Sequence, residues 1–209
     1  MINDKETYAG FYSKSVEHSY GKPNKNVELI PEYLSSGSAL DLGAGDGRHA
    51  ILLASAGFEV KALDTSQVAL DKMQRIAKEN GVKVEGVLAD LTGWSFDTDY
   101  DALVAAFILQ HLQKEDALRL MDEMRKHTKP NGLNAVSLFT KTGDRYLEDR
   151  KDDPNAFYPD DNWLQEYYKD WEILDFETSE ATIINRTRKD GSPARNNVEK
   201  ILARKPVKK

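Results

Sequence analysis

Short, almost continuous apolar blocks alternate along this chain with longer amphipathic stretches. Residues 39–42 (ALDL), 58–63 (FEVKAL), 83–88 (KVEGVL), 100–107 (YDALVAAF) and 133–139 (LNAVSLF) read as strands. The fourth is so uniformly apolar that both of its faces must be buried. Between them, HAILLASAG from 49, QVALDKMQRIAKEN from 67 and residues 114–126 place apolar side chains at helical spacing. Such alternation predicts a parallel sheet with helices on both faces, joined by right-handed crossovers. Residues 128–132 (TKPNG) read as a turn. Beyond 139 the composition changes: residues 140–161 are polar, charged and broken by proline, and read as a loop over the strand ends. A helix at 163–168 follows, with Asp161 or Asn162 as its cap. Two strands, 171–177 and 197–204, then flank an Asp190-Gly191 turn and form an antiparallel hairpin. The expected fold is α/β, a Rossmann-like seven-stranded and mostly parallel sheet. Residues 1–209 make one domain, divided into an N-terminal segment (1–36), a core (37–139) and a last part (140–209).

The junction of the first strand and first helix carries the chemistry. It reads Asp41-Leu42-Gly43-Ala44-Gly45-Asp46-Gly47-Arg48. Glycine lacks a Cβ, so the chain can turn tightly out of a strand and a ligand can lie against bare backbone. The following helix aims its unpaired N–H groups and positive dipole end at the same crevice. A nucleotide-like ligand is expected there. A dinucleotide fingerprint would need its third glycine at position 48, which is Arg48.

Further acids end the next strands. Asp64 lies 21 residues after Gly43, where a carboxylate meets both hydroxyls of a ribose. Thr65 and Ser66 stand next to it, ahead of the second helix. Asp90 ends the third strand; a carboxylate there can accept from an exocyclic amine. The alternative is an aspartate closing its own loop. Phe107 and His111 follow the fourth strand. All these positions fall at carboxyl ends of strands, the rim where open α/β sheets bind ligands.

Composition narrows the chemistry. A chain of 209 residues suits one domain with ample core. The absence of cysteine removes disulfides, thiolate metal sites and cysteine nucleophiles. Histidines 18, 49, 111 and 127 lack metal-ligand spacing, so no metal is expected. The N-terminal MINDKETYAGFYSK has no apolar signal core, and no run approaches the roughly 18 residues of a membrane span. A cytoplasmic protein without membrane partners is expected. Net charge is −6, with basic residues concentrated only at 186–189 and 204–209, which argues against a nucleic-acid partner and favours a small-molecule substrate.

The spacing Asp-x-Gly-x-Gly-x-Gly resembles motif I of the class I S-adenosylmethionine-dependent methyltransferases. That resemblance implies S-adenosyl-L-methionine as cofactor, the glycines accommodating its methionine part and ribose and the acid positioning the amino-acid end. It implies cofactor contacts at Asp41, Gly43, Ala44, Gly45, Arg48, Asp64, Thr65, Asp90, Leu91 and Phe107, with the Asp90 carboxylate meeting the exocyclic amine and the Leu91 N–H a ring nitrogen. From about Tyr20 onward, the stretches ALDLGAGDGRHAILLASAGFEVKALDTS, YDALVAAFILQHL, HTKPNGLNAVSLF, WLQEYYKDWEIL and ILARK are similar to the tellurite-resistance methyltransferase family. Membership would imply methylation of soft chalcogen oxyanions such as tellurite or selenite. Where that family carries a His-Arg pair before its last strand, this chain has Asn185-Arg186. The resemblance also makes the N-terminal aromatics a lid, with Tyr20 on the cofactor. Alternatively Tyr8, Phe11 and Tyr12, spaced three, four and one apart, form one face of a helix.

A sulfonium methyl is already activated, so the enzyme's task is to hold an acceptor lone pair in line with the S–C bond. Arg186 is the candidate anion clamp, because a guanidinium grips an oxyanion in bidentate fashion; a solvated arginine is the alternative. His111 is the candidate base, with a pKa near neutral, or else a packed histidine. Two rival functions share the fold: a nicotinamide-dependent reductase, and a non-catalytic S-adenosylmethionine-binding protein.

Overall fold

The computed structural model describes residues 10, 12, 13, 19 and 21–207, with the side chains of 184 and 185 excepted. Seven strands form one sheet: β1 (Gly37–Leu42), β2 (Phe58–Asp64), β3 (Glu85–Leu88), β4 (Tyr100–Ala106), β5 (Thr128–Gly143), β6 (Glu172–Thr187) and β7 (Pro193–Arg204). Their order is β3-β2-β1-β4-β5-β7-β6. The first five run parallel, and β7 pairs antiparallel with both β5 and β6. Strand order reverses between β1 and β4, which opens a crevice above their carboxyl ends.

The helices are α1 (Lys25–Glu28), α2 (Ile30–Tyr33), α3 (Arg48–Ser55), α4 (Gln67–Glu79), α5 (Lys114–Lys126), α6 (Asp144–Asp152) and α7 (Trp163–Tyr167). Successive side chains of a strand point to opposite faces, so each central strand feeds two cores. Leu40, Leu42, Leu103 and Leu138 face Leu120, Met121 and Met124 of α5 together with Tyr168 and Trp171. Ala39, Val60, Ala62, Val104 and Ala135 face Ile51 and Leu53 of α3 and Leu70, Met73 and Ile76 of α4. A smaller third cluster, with Phe139, Tyr158, Ile183, Ala194 and Val198 at its centre, lies toward the carboxyl end of β5.

Three expectations are corrected. The turn at 128–132 is a bulge inside β5: Tyr100 pairs with Thr128 but Ala102 with Leu133, and Asn131 takes the left-handed φ of 63°. The polar stretch 140–161 is not all loop, since β5 continues to Gly143 and residues 144–152 form α6. Arg145 and Asp149 are one helical turn apart and 3.1 Å from each other, a pairing that favours the helix. Finally, Asn162 stands at the cap position of α7 with a φ of 68°, but the capping bonds do not come from its side chain. The buried carboxylate of Glu199, on β7, instead accepts the amides of Asn162 and Leu164.

Candidate active site

Gly43, Gly45 and Gly47 have φ values of 72°, 58° and 81°, so the turn after β1 is left-handed three times in five residues. Neighbours also fill the space a side chain would need. A Cβ on Gly43 would lie 2.5 Å from Ile108, and one on Gly47 would lie 2.3 Å from Met73. Asp64 fastens this turn to β2: its Oδ2 accepts the Gly45 N–H at 2.8 Å and its Oδ1 the Ser66 N–H at 2.9 Å. Burial raises the Asp64 pKa, opposed by these backbone bonds. Each carboxylate oxygen has a second lone pair, so Asp64 retains acceptor capacity for a ribose diol. Ser66, rather than Thr65, caps α4 by accepting the Ala69 N–H at 3.2 Å. Thr65 is exposed on the rim.

Asp41 lies beneath the turn, almost fully buried, and its Oδ2 has no hydrogen-bond partner. Burial pushes its pKa up to about 7, against the attraction of Arg48; Asp64 adds to the rise and a bond from the Ala50 N–H opposes it. An orphaned buried carboxylate oxygen beside a glycine cradle fits a ligand with a cationic amine, such as the amino-acid end of S-adenosylmethionine. Arg48 faces inward enough to act on Asp41, and it donates to the Lys22 carbonyl at 2.9 Å.

Residues preceding β1 are tied onto the same turn. Asp46 is buried, accepts the Ser19 N–H at 2.6 Å and pairs with Lys72 Nζ at 3.0 Å. Lys72 also donates to the Ser19 hydroxyl at 2.8 Å. The buried ring of His49 accepts the Asn24 N–H through Nε2 at 3.2 Å, and Asn24 donates to Ser137 on β5 at 3.1 Å. Tyr12 is buried with its hydroxyl 2.6 Å from where a Gly45 Cβ would stand. It therefore overhangs the turn. Tyr20, Tyr8 and Phe11 lie outside the described residues.

Asp90 is at the rim but exposed, and its Oδ1 closes a local turn by accepting the Thr92 N–H at 3.0 Å and hydroxyl at 2.8 Å. Leu91 is buried, and Arg119 binds its carbonyl at 2.9 Å. Phe107 follows β4 at the rim. Its backbone turns at a left-handed φ of 55°, and its ring packs on Phe139 with centroids 4.8 Å apart, on the β5 side of the rim. The ring thus lines the wall next to the third cluster.

That side holds a second group of charged residues. Arg186 on β6 donates to Asp149 at 2.7 Å and Glu148 at 3.1 Å, both from α6. Arg145 donates to the other Asp149 oxygen at 3.1 Å and to the Tyr158 hydroxyl at 3.1 Å, with its guanidinium 4.7 Å from the Phe139 ring centre. Tyr158 donates to Asp149 in turn. Burial pushes the Asp149 pKa up, but bonds from Tyr158 and Arg186 and the charges of both arginines outweigh it and hold the carboxyl below its usual range. His111, in the short 3-10 turn Leu109–His111, is corrected as a base of near-neutral pKa. His111 is exposed as a residue, and partial burial of its ring among protein groups lowers its pKa. Arg145 and Arg186 lower it further, with Asp149 opposing. The ring is neutral at pH 7. Arg145, Asp149 and Tyr158 escaped the sequence reading because their segment resembles a solvated loop; the Arg145-to-Asp149 spacing was the one available signal.

The solved TehB of Haemophilus influenzae superposes with a TM-score of 0.73 at 23% identity, over 96% of this chain and 66% of that one. The N-methyltransferase NodS of Bradyrhizobium japonicum, solved with S-adenosylhomocysteine, gives 0.67 at 15% identity over 98% and 100%. In sequence, the chain is 26% identical over 210 residues to a probable S-adenosyl-L-methionine-dependent methyltransferase TehB of Haemophilus influenzae, covering 98% of this chain and 72% of that protein. The family described as tellurite resistance protein TehB matches residues 1–199, and the chain belongs to it. It is accordingly an S-adenosylmethionine-dependent methyltransferase. Among the described residues no helix is long and apolar enough to cross a membrane, and no cluster of His, Asp or Glu is arranged to hold a metal.

Proposed function

We propose that the chain methylates a small-molecule acceptor carrying a soft nucleophile and a negative charge, a chalcogen oxyanion such as tellurite or selenite. The observation that carries this reading is the convergence of two guanidinium groups, Arg145 and Arg186, beside a neutral His111 on the crevice rim. When bound, S-adenosylmethionine supplies an activated methyl group. Asp41 and Asp64 hold its amine and its ribose, and the glycine turn admits it against the backbone. Arg186 and Arg145 orient the acceptor anion. A soft anion presents its lone pair without losing a proton, so a neutral His111 serves by positioning rather than by proton removal. Holding the lone pair in line lowers the barrier by restricting motion, a contribution of about 7–11 kcal/mol in the best intramolecular cases. The family's description, tellurite resistance, supports the substrate class. The absence of nucleic-acid partners belongs to the same proposal, on the net charge of −6, and a cytoplasmic location is proposed with it.

A radiolabelled-methyl assay across tellurite, selenite, thiols and small carboxylates tests it. Label is expected on the chalcogen oxyanions. Cofactor binding with every acceptor unlabelled would leave a non-catalytic binding protein instead.

A further inference from the structure

The two guanidinium groups of the rim already hold an anion, and it belongs to the protein. Asp149 receives Arg186 at 2.7 Å on one oxygen, and Arg145 at 3.1 Å together with the Tyr158 hydroxyl on the other. A planar carboxylate gripped on both oxygens by two arginines and a phenol is the arrangement that binds a small oxyanion. The other carboxylate nearby, Glu148, lies on the outer side of Arg186 at 3.1 Å and is half exposed.

Only polar bonds keep Asp149 there. No residue of its helix α6 is fully buried, and the side chain of α6 that packs against the third cluster, Tyr146, stands near the start of the helix, ahead of Asp149. Arg145 shares α6 with Asp149, but the rest of the seat comes from other elements. Arg186 comes from β6, and Tyr158 is buried in the third apolar cluster, where Arg145 lies against Phe139. The start of α6 is anchored independently: Asp144 accepts Arg188 at 2.7 Å and the Arg195 N–H at 2.8 Å, and the Tyr146 N–H reaches Asn196 at 3.1 Å. Arg145 is thus held near the fixed end of the helix, one turn ahead of Asp149.

We propose that Arg145, Arg186 and Tyr158 form the anion seat for the acceptor and that Asp149 fills it from within, so an anionic acceptor must displace this carboxylate. The proposal rests on the acceptor reading above and makes Arg145 and Tyr158 specificity-determining residues. Two cations balanced by an internal anion discriminate by competition. A neutral molecule in the place of Asp149 removes the carboxylate that Arg145 and Arg186 share and leaves Arg186 with Glu148, whereas an oxyanion replaces it bond for bond.

Sulfate is the test ligand, because its sulfur has no lone pair to methylate and binding is read apart from transfer. Calorimetry with wild type and Asp149→Asn, each with and without S-adenosylhomocysteine, should show sulfate bound at least tenfold more tightly by the variant. Adding Arg145→Gln should abolish that gain. A folded Asp149→Asn protein whose sulfate affinity is unchanged or weaker overturns the proposal; a merely structural role for Asp149 predicts that result. Should the variant fail to fold, hydrogen exchange on the wild-type protein decides. Sulfate, against chloride at equal ionic strength, should accelerate exchange of the amides at 148–152, and unchanged protection overturns the proposal. Methylation without sulfate competition would refute the seat and spare the proposed function; sulfate competition without any methyl transfer would do the reverse.

Discussion

Asp64 accepts the Gly45 N–H at 2.8 Å, so the end of β2 holds the glycine turn that leaves β1. One carboxylate thereby shapes the cradle and offers its remaining lone pairs to the ligand. Asp64→Ala removes both functions and is expected to weaken S-adenosylhomocysteine binding by about 1–3 kcal/mol. Asp64→Asn keeps an acceptor for Gly45 and should fall between. Titration calorimetry measures this, and wild-type affinity in the alanine variant would refute the ribose assignment.

The buried Asp41 gives the protein a pH signature. Its pKa in the folded state is about 7, above the 3.8 of an unperturbed aspartate. Between these values the folded protein keeps a proton that the unfolded chain has released. Stability therefore falls as pH rises from about 4 to 7, by about 4 kcal/mol in all. Asp41→Asn should lack this slope, so denaturation at pH 5 and pH 7 should separate it from wild type increasingly at the higher pH. If the carboxylate meets the ligand's amine, S-adenosylhomocysteine binding at pH 6 releases a proton. Calorimetry in buffers of different ionisation heat would detect the release, and a buffer-independent enthalpy would count against that contact.

Backbone-level features of this fold were legible because they rest on local rules. Continuous apolar runs marked β1, β2 and β4, helical spacing placed α5 at its observed limits, and a glycine turn followed by Asp64 located the crevice. What was hidden depends on partners distant in sequence. Glu199 caps α7 from 35 residues away, and nothing around Asn162 announces it. Lys72 reads as one more lysine on an amphipathic helix until Asp46 and Ser19 enclose it. The α6 segment is so polar that periodicity gives no signal, and its Arg145–Asp149 pair acquires meaning only when β6 brings Arg186 alongside.

The Lys72–Asp46 pair ties α4 to the glycine turn from inside the protein, with only 6% and 2% of the two side chains exposed. Removing one partner leaves the other charge buried without its counter-charge. Lys72→Met should therefore cost about 3–5 kcal/mol of folding stability, while the double change Lys72→Met with Asp46→Asn should recover part of it. Chemical denaturation of the two single variants and the double variant measures the coupling. Additive losses would mean that the ion pair contributes nothing beyond its separate residues.

His111 gives the sharpest separation between a base and a positioning group. Crowding by protein, with Arg145 and Arg186 nearby, lowers its pKa below the ordinary 6.5. The folded ring thus stays neutral where the unfolded one has gained a proton, and its contribution to stability is present above pH 6.5 and lost as pH falls below it. Proton NMR should find the His111 ring titrating below 6.5, and Arg145→Gln or Arg186→Gln should move that midpoint upward by removing a repelling cation. Transfer to an oxyanion should then show no inflection near pH 6.5, and His111→Gln should retain the flat profile with reduced rate. A rate that rises through pH 6.5 in wild type and not in the variant would restore His111 as a base and require a protonated acceptor.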